Sequence, residues 1–352
     1  MLNKQEQSQI AGNNSTQIQI ENYHEGVTAS SVVSIASSVF KEMFMHTANE
    51  YAESAMCTVK ERVDGFANEL FPRLEKVEGA LAQFKDPKFE FLLRDAQISS
   101  AQTDSKDDWT LLSELLIHYV EKKNDRLVES AICQAVKIIS SIDSDALRAM
   151  TVLYILLRYI PQSSKIDKGL KLMDEAIGKC MEYPLPNGFD WMDHLDVLGA
   201  IRLSPIGTLQ KTEEFLAKRY RGYACVGIKK DSKEYQKAIE ILGEYRVNET
   251  VLVDNVCLDG YVRLNIYSIE YVAALNKDMV RQILGLYSKD INLGNVAKAN
   301  FFRIWDSYET LKKVREWWDL IPAVFEFTSV GNVIAQANAC RVVPTLPNLL
   351  KK

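Results

Sequence analysis

Apolar residues recur at helical spacing over most of this chain, while one short stretch near its start alternates instead. Val32, Ile35, Ala36, Val39, Phe40, Met43 and Phe44 fall three or four residues apart, and the stripe continues through Ala48, Tyr51, Ala55, Val59, Val63, Phe66 and Leu70 to Pro72. The pattern predicts one long amphipathic helix with a break near Gly65, rising about 1.5 Å per residue. An apolar stripe of that length needs a partner. Two stay open: the protein's own C-terminal part, or a helical oligomer interface formed by Val32, Ile35, Val39, Phe40, Met43 and Phe44. Glu42, Glu50, Glu53 and Glu61 would repel anionic lipid and disfavour a membrane-surface role.

Downstream, Asp86-Pro87 marks a turn before a helix around Phe89 to Ser99, and Gln102 to Lys106 reads as a polar linker. Three closely spaced helices follow. The first carries Leu111, Leu112, Leu115, Leu116 and Tyr119; the second Leu127, Ile132, Val136 and Ile139. The third is capped at Asp143 or Ser144 and ends before Pro161. Short loops imply antiparallel neighbours, hence a helical bundle or short α-solenoid. A further helix covers about Ile166 to Met181 and stops before Pro184 and Pro186. Two later stretches share a shape: the helical Trp191 to Ala200 leads into the strand-like Ile201-Arg202-Leu203-Ser204, and the helical Leu311 to Leu320 into Val324-Phe325-Glu326-Phe327-Thr328, then Gly331 and another helix. A helix, a short strand and a glycine turn is how winged-helix units finish. The expected fold is therefore mainly α, with small winged-helix-like α+β units towards the C-terminus. The expected division is 1–26 for a polar segment, 27–101 for the long helix and a helical hairpin, 102–183 for the bundle and 184–352 for the C-terminal helical domain.

At 352 residues with 47% hydrophobic and 25% charged residues, the chain has ordinary globular composition. A net charge of −5 disfavours broad contact with nucleic acid, which is left open only as an alternative through the winged-helix-like units. The basic clusters Lys218-Arg219-Tyr220-Arg221 and Lys312-Lys313-x-Arg315 sit among acidic neighbours and read as solvated helix faces. Six scattered cysteines, with no CxxC pair, read as buried hydrophobes in a reducing compartment. The first residues lack an apolar core of the signal-peptide kind, and the longest apolar run, Val152 to Leu157, is too short to span a bilayer. Both point to a cytoplasmic protein.

The chemistry-bearing motifs are missing. There is no phosphate-binding GxxxxGK[ST] loop, GxGxxG fingerprint, GxSxG elbow or HExxH pair. His24, His46, His118 and His194 have no second ligand at metal-binding spacing. In Asp193-His194 with Asp196, the two carboxylates share a helix face that the histidine leaves. Trp317-Trp318, just before Pro322, reads as core. No catalytic residue, cofactor or metal is expected. The reading leans against an enzyme, with an effector or toxin of unrecognised site as a further alternative.

The first 26 residues differ from the rest. They are rich in Asn, Gln, Ser and Thr and end in the alternation Thr16-Gln17-Ile18-Gln19-Ile20, a strand signal with no partner strand nearby. Ile18 and Ile20 suit a dry seam between stacked copies, Gln17, Gln19, Asn13 and Asn14 suit amide ladders, and Gly12 permits a tight arch; Ser15 and Thr16 complete the segment. Ordering about ten residues costs on the order of 10–20 kcal/mol, so the segment is expected to take up structure only when copies meet. Glu21 opposes stacking, since like charges about 4.8 Å apart repel by roughly 0.9 kcal/mol even in water. A plain polar tail is the bland alternative.

The run Gln9-Ile10-Ala11-Gly12-Asn13-Asn14-Ser15-Thr16-Gln17-Ile18-Gln19-Ile20 resembles the bacterial amyloid-signalling segments related to the RHIM of animal necroptosis proteins, with Glu21 where their core glycine stands. The remainder resembles an uncharacterised bacterial family of helical proteins. The similar stretches are Gly26-Val27-Thr28 before the Val32–Phe44 helix, Phe84-Lys85-Asp86-Pro87-Lys88-Phe89, Asp193-His194-Leu195 with Gly199-Ala200-Ile201, and Phe325-Glu326-Phe327-Thr328-Ser329-Val330-Gly331 followed by Ile334-Ala335-Gln336-Ala337-Asn338. The resemblance implies a bacterial cytosolic protein of antiviral defence or stress signalling. Its first partner would be itself, as a homo-oligomer, and its second a neighbouring defence-system protein.

Overall fold

The computed structural model describes residues 29–48, 53–122, 125–204, 206–266 and 275–349. The chain is mainly α-helical. Its N-terminal half is a run of eight helices: α1 (Ala29–Ala48), α2 (Glu53–Leu74), α3 (Ala80–Gln83), α4 (Pro87–Ala101), α5 (Lys106–Glu121), α6 (Arg126–Ile138), α7 (Ser144–Arg158) and α8 (Ile166–Cys180). Local chemistry sets several of their starts. Asp86, Ser105, Asp125 and Asp143 each occupy an N-cap and accept from a backbone N–H of the first turn, which satisfies donors the helix itself cannot. No described helix is long and apolar enough to cross a membrane.

The apolar stripe expected to form one long helix folds back on itself. In a single straight helix Phe40 and Phe66 would stand about 39 Å apart at 1.5 Å per residue. Their ring centroids are instead 6.1 Å apart, Phe40 is also 5.8 Å from Phe71, and Lys41 pairs with Asp64 at 3.5 Å. The stripe buries itself partly against its own continuation. Gly65 does not break the chain but lies inside α2, where a Cβ would press into the Trp109 ring of α5.

The C-terminal half is α9 (Asp190–Val197), β1 (Ile201–Ser204), α10 (Thr212–Arg219), β2 (Ile228–Lys229), α11 (Lys233–Glu244), β3 (Leu252–Asp254), β4 (Tyr261–Leu264), α12 (Lys277–Gly285), α13 (Ile291–Trp305), α14 (Glu309–Trp318), β5 (Val324–Phe327) and α15 (Ser329–Val342). The two strand stretches expected to end separate winged-helix-like units pair with each other. β1 and β5 run antiparallel, with Ile201 opposite Phe327 and Ser204 opposite Val324. A four-residue strand cannot satisfy its backbone alone, and each is the other's partner although most of the C-terminal half intervenes. The remaining strands form a sheet of order β2-β4-β3.

One hydrophobic cluster runs from Ala36 to Val343, and a smaller one gathers Ile228, Ala238, Leu242, Val262, Leu264, Met279, Val280 and Ile283 around the three-stranded sheet, α11 and α12. At the centre of the larger cluster lies α15, which packs on α5, α6 and α7 and buries Gly331, Val333, Ile334, Ala335, Gln336, Ala337, Asn338 and Ala339. A helix buried on every side carries no amphipathic pattern.

Gly331 marks the tightest approach, because a Cβ there would overlap the Ala200 carbonyl of the turn before β1. Gly243, inside α11, has open space around its missing Cβ. Gly331→Ala is expected to cost about 3 kcal/mol by overpacking against backbone, and Gly243→Ala to stabilise by about 0.5 kcal/mol. Urea unfolding midpoints of the two variants check both signs.

Candidate functional site

The densest collection of buried polar side chains lies along α15. Gln336 is fully buried, and its amide makes all the bonds it can. Its oxygen accepts from the Tyr154 hydroxyl at 2.8 Å and from the Leu349 N–H at 3.3 Å, while its nitrogen donates to the Tyr159 hydroxyl at 2.8 Å and to Cys340 Sγ. Tyr159 in turn donates to the Pro347 carbonyl at 2.9 Å. Two residues on, Asn338 donates to Thr151 at 2.8 Å and accepts from Arg341 at 2.9 Å, and Arg341 reaches the exposed Asp107 at 2.7 Å. The network joins α15 to α5, α7 and the C-terminal residues. No cavity opens onto it among the grooves described below.

Three of the four stretches that carry the resemblance are architectural in this structure, and Gly26-Val27-Thr28 lies outside the described residues. Phe84-Lys85-Asp86-Pro87-Lys88-Phe89 starts α4: Asp86 caps it, Pro87 opens it, and Phe84 and Phe89 meet edge to face at 5.3 Å. In the next motif, His194 Nε2 accepts from the Asp143 N–H at the start of α7 at 3.0 Å, and Asp196 accepts from the Leu203 N–H at 3.0 Å, capping the outer edge of β1. Thr328 caps α15 and donates to the Gly199 carbonyl at 2.7 Å. The motifs at 193–201 and 325–338, distant in sequence, thus meet at the β1–β5 pair. They hold it to α15.

Burial holds several side chains with latent reactivity neutral, whereas Cys57 is exposed. Burial pushes the Cys180 and Cys257 thiols up to about 12, and the Cys225 thiol up to about 11. It likewise pushes the Tyr154 and Tyr220 hydroxyls up to about 12. No group of three or more His, Cys, Asp or Glu side chains that could hold a metal is found among the described residues. His118 is buried, with Nε2 2.7 Å from the Asn348 amide. Trp317 donates to the Pro186 carbonyl at 2.7 Å and Trp318 to that of Gln210 at 2.9 Å, so both indoles are core residues with satisfied N–H groups. In the basic clusters, Arg219 holds the Tyr159 carbonyl at 2.9 Å, Lys312 and Lys313 face Glu316 and Glu309, and Arg315 pairs with Asp306.

Two open grooves stand out on the surface of the described residues. One of about 570 Å³ is lined by Arg148, Tyr183 and the Pro184–Asn187 loop; its guanidinium is engaged by Asp145 at 2.7 Å and by the Pro184 carbonyl at 2.9 Å, 5.2 Å above the Tyr183 ring. The other, of about 700 Å³, lies between α10, α13 and α14 and is lined by Glu213, Lys298, Phe302, Arg303, Asp306 and Arg315 among others.

The residues expected to mediate self-assembly, Gly12, Asn13, Asn14, Ser15, Thr16, Gln17, Ile18, Gln19 and Ile20, lie outside the described residues, as do His24 and the side chains of Val32, Met43 and Phe44. Of the remaining α1 face, Phe40 is buried and its carbonyl accepts from Gln97 at 2.9 Å, Val39 is half-buried, and Ile35 is 50% exposed.

Two outcomes follow from this site. Gln336→Leu strands the Tyr154 hydroxyl and the Leu349 N–H, and is expected to cost about 3 kcal/mol, against about 1 kcal/mol for Tyr154→Phe. Because the first change already removes the second bond, the double variant should cost less than the sum when measured by urea unfolding. The second outcome concerns pH. The raised thiols and hydroxyls stay neutral in the fold, so the folded chain holds protons that the unfolded chain releases. Stability should be undiminished below the ordinary thiol value of 9.0 and fall as pH rises towards about 12, as circular dichroism during alkaline titration would record.

No curated protein and no solved structure matches the chain. A family model described as ":-like" matches residues 26–349. The match begins at Gly26, where the Asn- and Gln-rich segment ends, and takes in the motifs that converge on α15. The chain belongs to this family, whose model spans the helical body built around α15.

Proposed function

We propose that this protein is a non-enzymatic, cytosolic signalling or defence protein of a bacterium, acting by homo-oligomerisation through its N-terminal segment, residues 9–21. The helical body carries that segment and couples it to a neighbouring defence-system protein. The observation that carries the reading is chemical quietness. Gln336, Asn338 and the side chains bonded to them are engaged in holding α15 and its neighbours, and burial keeps the Tyr154 hydroxyl and the Cys180 and Cys257 thiols neutral. Function then falls to surfaces and to the one part of the chain with a different composition.

The segment's own composition supports the rest. Gly12 to Ile20 offers two isoleucines at period two, flanked by amides that ladder well between identical strands in register. The like charge that each copy brings at Glu21 limits the stacking and makes it sensitive to salt. Ile35, half exposed on α1, belongs to the helix face proposed as a second contact between copies.

The wild type should form large species that bind thioflavin and elute early in size exclusion, more readily at higher salt. Ile18→Asp/Ile20→Asp should remain small at the same concentration with unchanged helical circular dichroism. Equal sizes and no thioflavin signal from either protein at any concentration would refute assembly through this segment.

A further inference from the structure

The groove between α10, α13 and α14 brings basic side chains of two helices, Lys298 and Arg303 of α13 and Arg315 of α14, together at the surface. Helix α13 lines it with Asn295, Lys298, Ala299 and Phe302, spaced three and four apart so that they share a face. Two carboxylates also border it, but both are directed at one cation. Arg315 from α14 donates from Nε to Asp306 Oδ1 at 2.8 Å and from a terminal nitrogen to Oδ2 at 2.5 Å, and its other terminal nitrogen lies 3.9 Å from Glu213 of α10. The fork is fixed further by the Phe302 ring, 5.8 Å from the guanidinium carbon. Among the described residues neither Lys298 nor Arg303 forms an ion pair, the groove's two carboxylates both going to Arg315. On a chain with net charge −5, this groove carries three cations against two carboxylates.

We infer that this groove binds a small organic phosphate, with Lys298 and Arg303 holding the phosphate and the exposed Asn295 and Ala299 beside them meeting the organic part. A phosphate dianion suits the pair because a lysine supplies a compact point charge and an arginine a planar fork for two oxygens. Size argues for a small ligand. About 700 Å³ falls in the range of small-molecule sites, whereas an extended polyanion would run beyond the groove onto a surface whose overall charge repels it. The other groove lacks this capacity, its one arginine being engaged by Asp145. The inference is independent of the N-terminal segment, and it adds a ligand that the body could sense.

The test is calorimetric titration of the full chain at low ionic strength with inorganic pyrophosphate, ATP, citrate and a short single-stranded oligonucleotide. Pyrophosphate and ATP should bind, and each of Lys298→Glu and Arg303→Glu should weaken them by about tenfold or more. Both variants should keep the wild-type urea midpoint, since neither side chain is engaged in an ion pair within the body. Lys237→Glu, an equal charge change on the exposed face of α11, should leave binding unaltered. The inference is overturned if neither phosphate probe binds at millimolar concentration, or if Lys237→Glu weakens binding as much as the groove variants do. Citrate binding as tightly as pyrophosphate would overturn the phosphate assignment, and an oligonucleotide binding more tightly than ATP would overturn the small-ligand assignment.

Discussion

A helix buried on all sides must place every polar side chain it carries against a partner, and this requirement at α15 organises much of the body. An uncompensated amide in an apolar interior costs several kcal/mol, enough to remove a large part of the stability of a domain. Gln336 and Asn338 meet the requirement by recruiting Tyr154, Tyr159, Thr151 and Arg341, which fixes how α7 and the C-terminal residues lie around the helix. The β1–β5 pair follows from the same constraint. It closes over the start of α15, where only glycine at 331 allows the backbone before β1 to come so near.

Such a network is easily mistaken for an active site. It gathers two tyrosines, a cysteine, a glutamine and an asparagine in a small volume, all of them residue types that catalysis uses. Two facts argue otherwise. The amide of Gln336 has no bonding capacity left for a substrate, and burial holds the hydroxyl of Tyr154 far from ionisation at neutral pH. The stretches at 193–201 and 325–338 thus serve packing. The proposed roles therefore rest on the periphery, on the groove beside α13 and the polar segment ahead of α1.

Interaction between the small cluster and the larger one rests on similar logic. Arg263 on β4 is buried, with its guanidinium donating to the Leu264 and Ile266 carbonyls within the small cluster and to the Ser164 carbonyl of the body at 2.6 Å. Carbonyl oxygens and the face of Tyr223, 5.6 Å away, receive this cation. The junction is therefore polar at its centre although both units have apolar cores.

Much of the helical order could be read from the chain alone. Asp86, Asp143, the prolines at 161 and 184 and the three-and-four spacing of leucines locate α4 to α8 to within a few residues, because caps, breaks and amphipathic stripes are local properties. The strands at 201–204 and 324–327 were legible as strands too. Three things were not. That the stripe from Val32 to Leu70 doubles back was invisible, since periodicity records which face is apolar and not what covers it. That the two strands are partners depends on contacts between distant residues, which no local pattern encodes. The groove beside α13 also escaped: the spacing of Asn295, Lys298 and Phe302 marks only a helix face, and Arg315 read as one member of a solvated basic cluster. Which cations remain unneutralised there was decided when Glu213 and Asp306 both arrived at Arg315. Local free-energy preferences write themselves into sequence, whereas the neutralisation of one charge by another is settled only when tertiary structure brings them within a few ångströms.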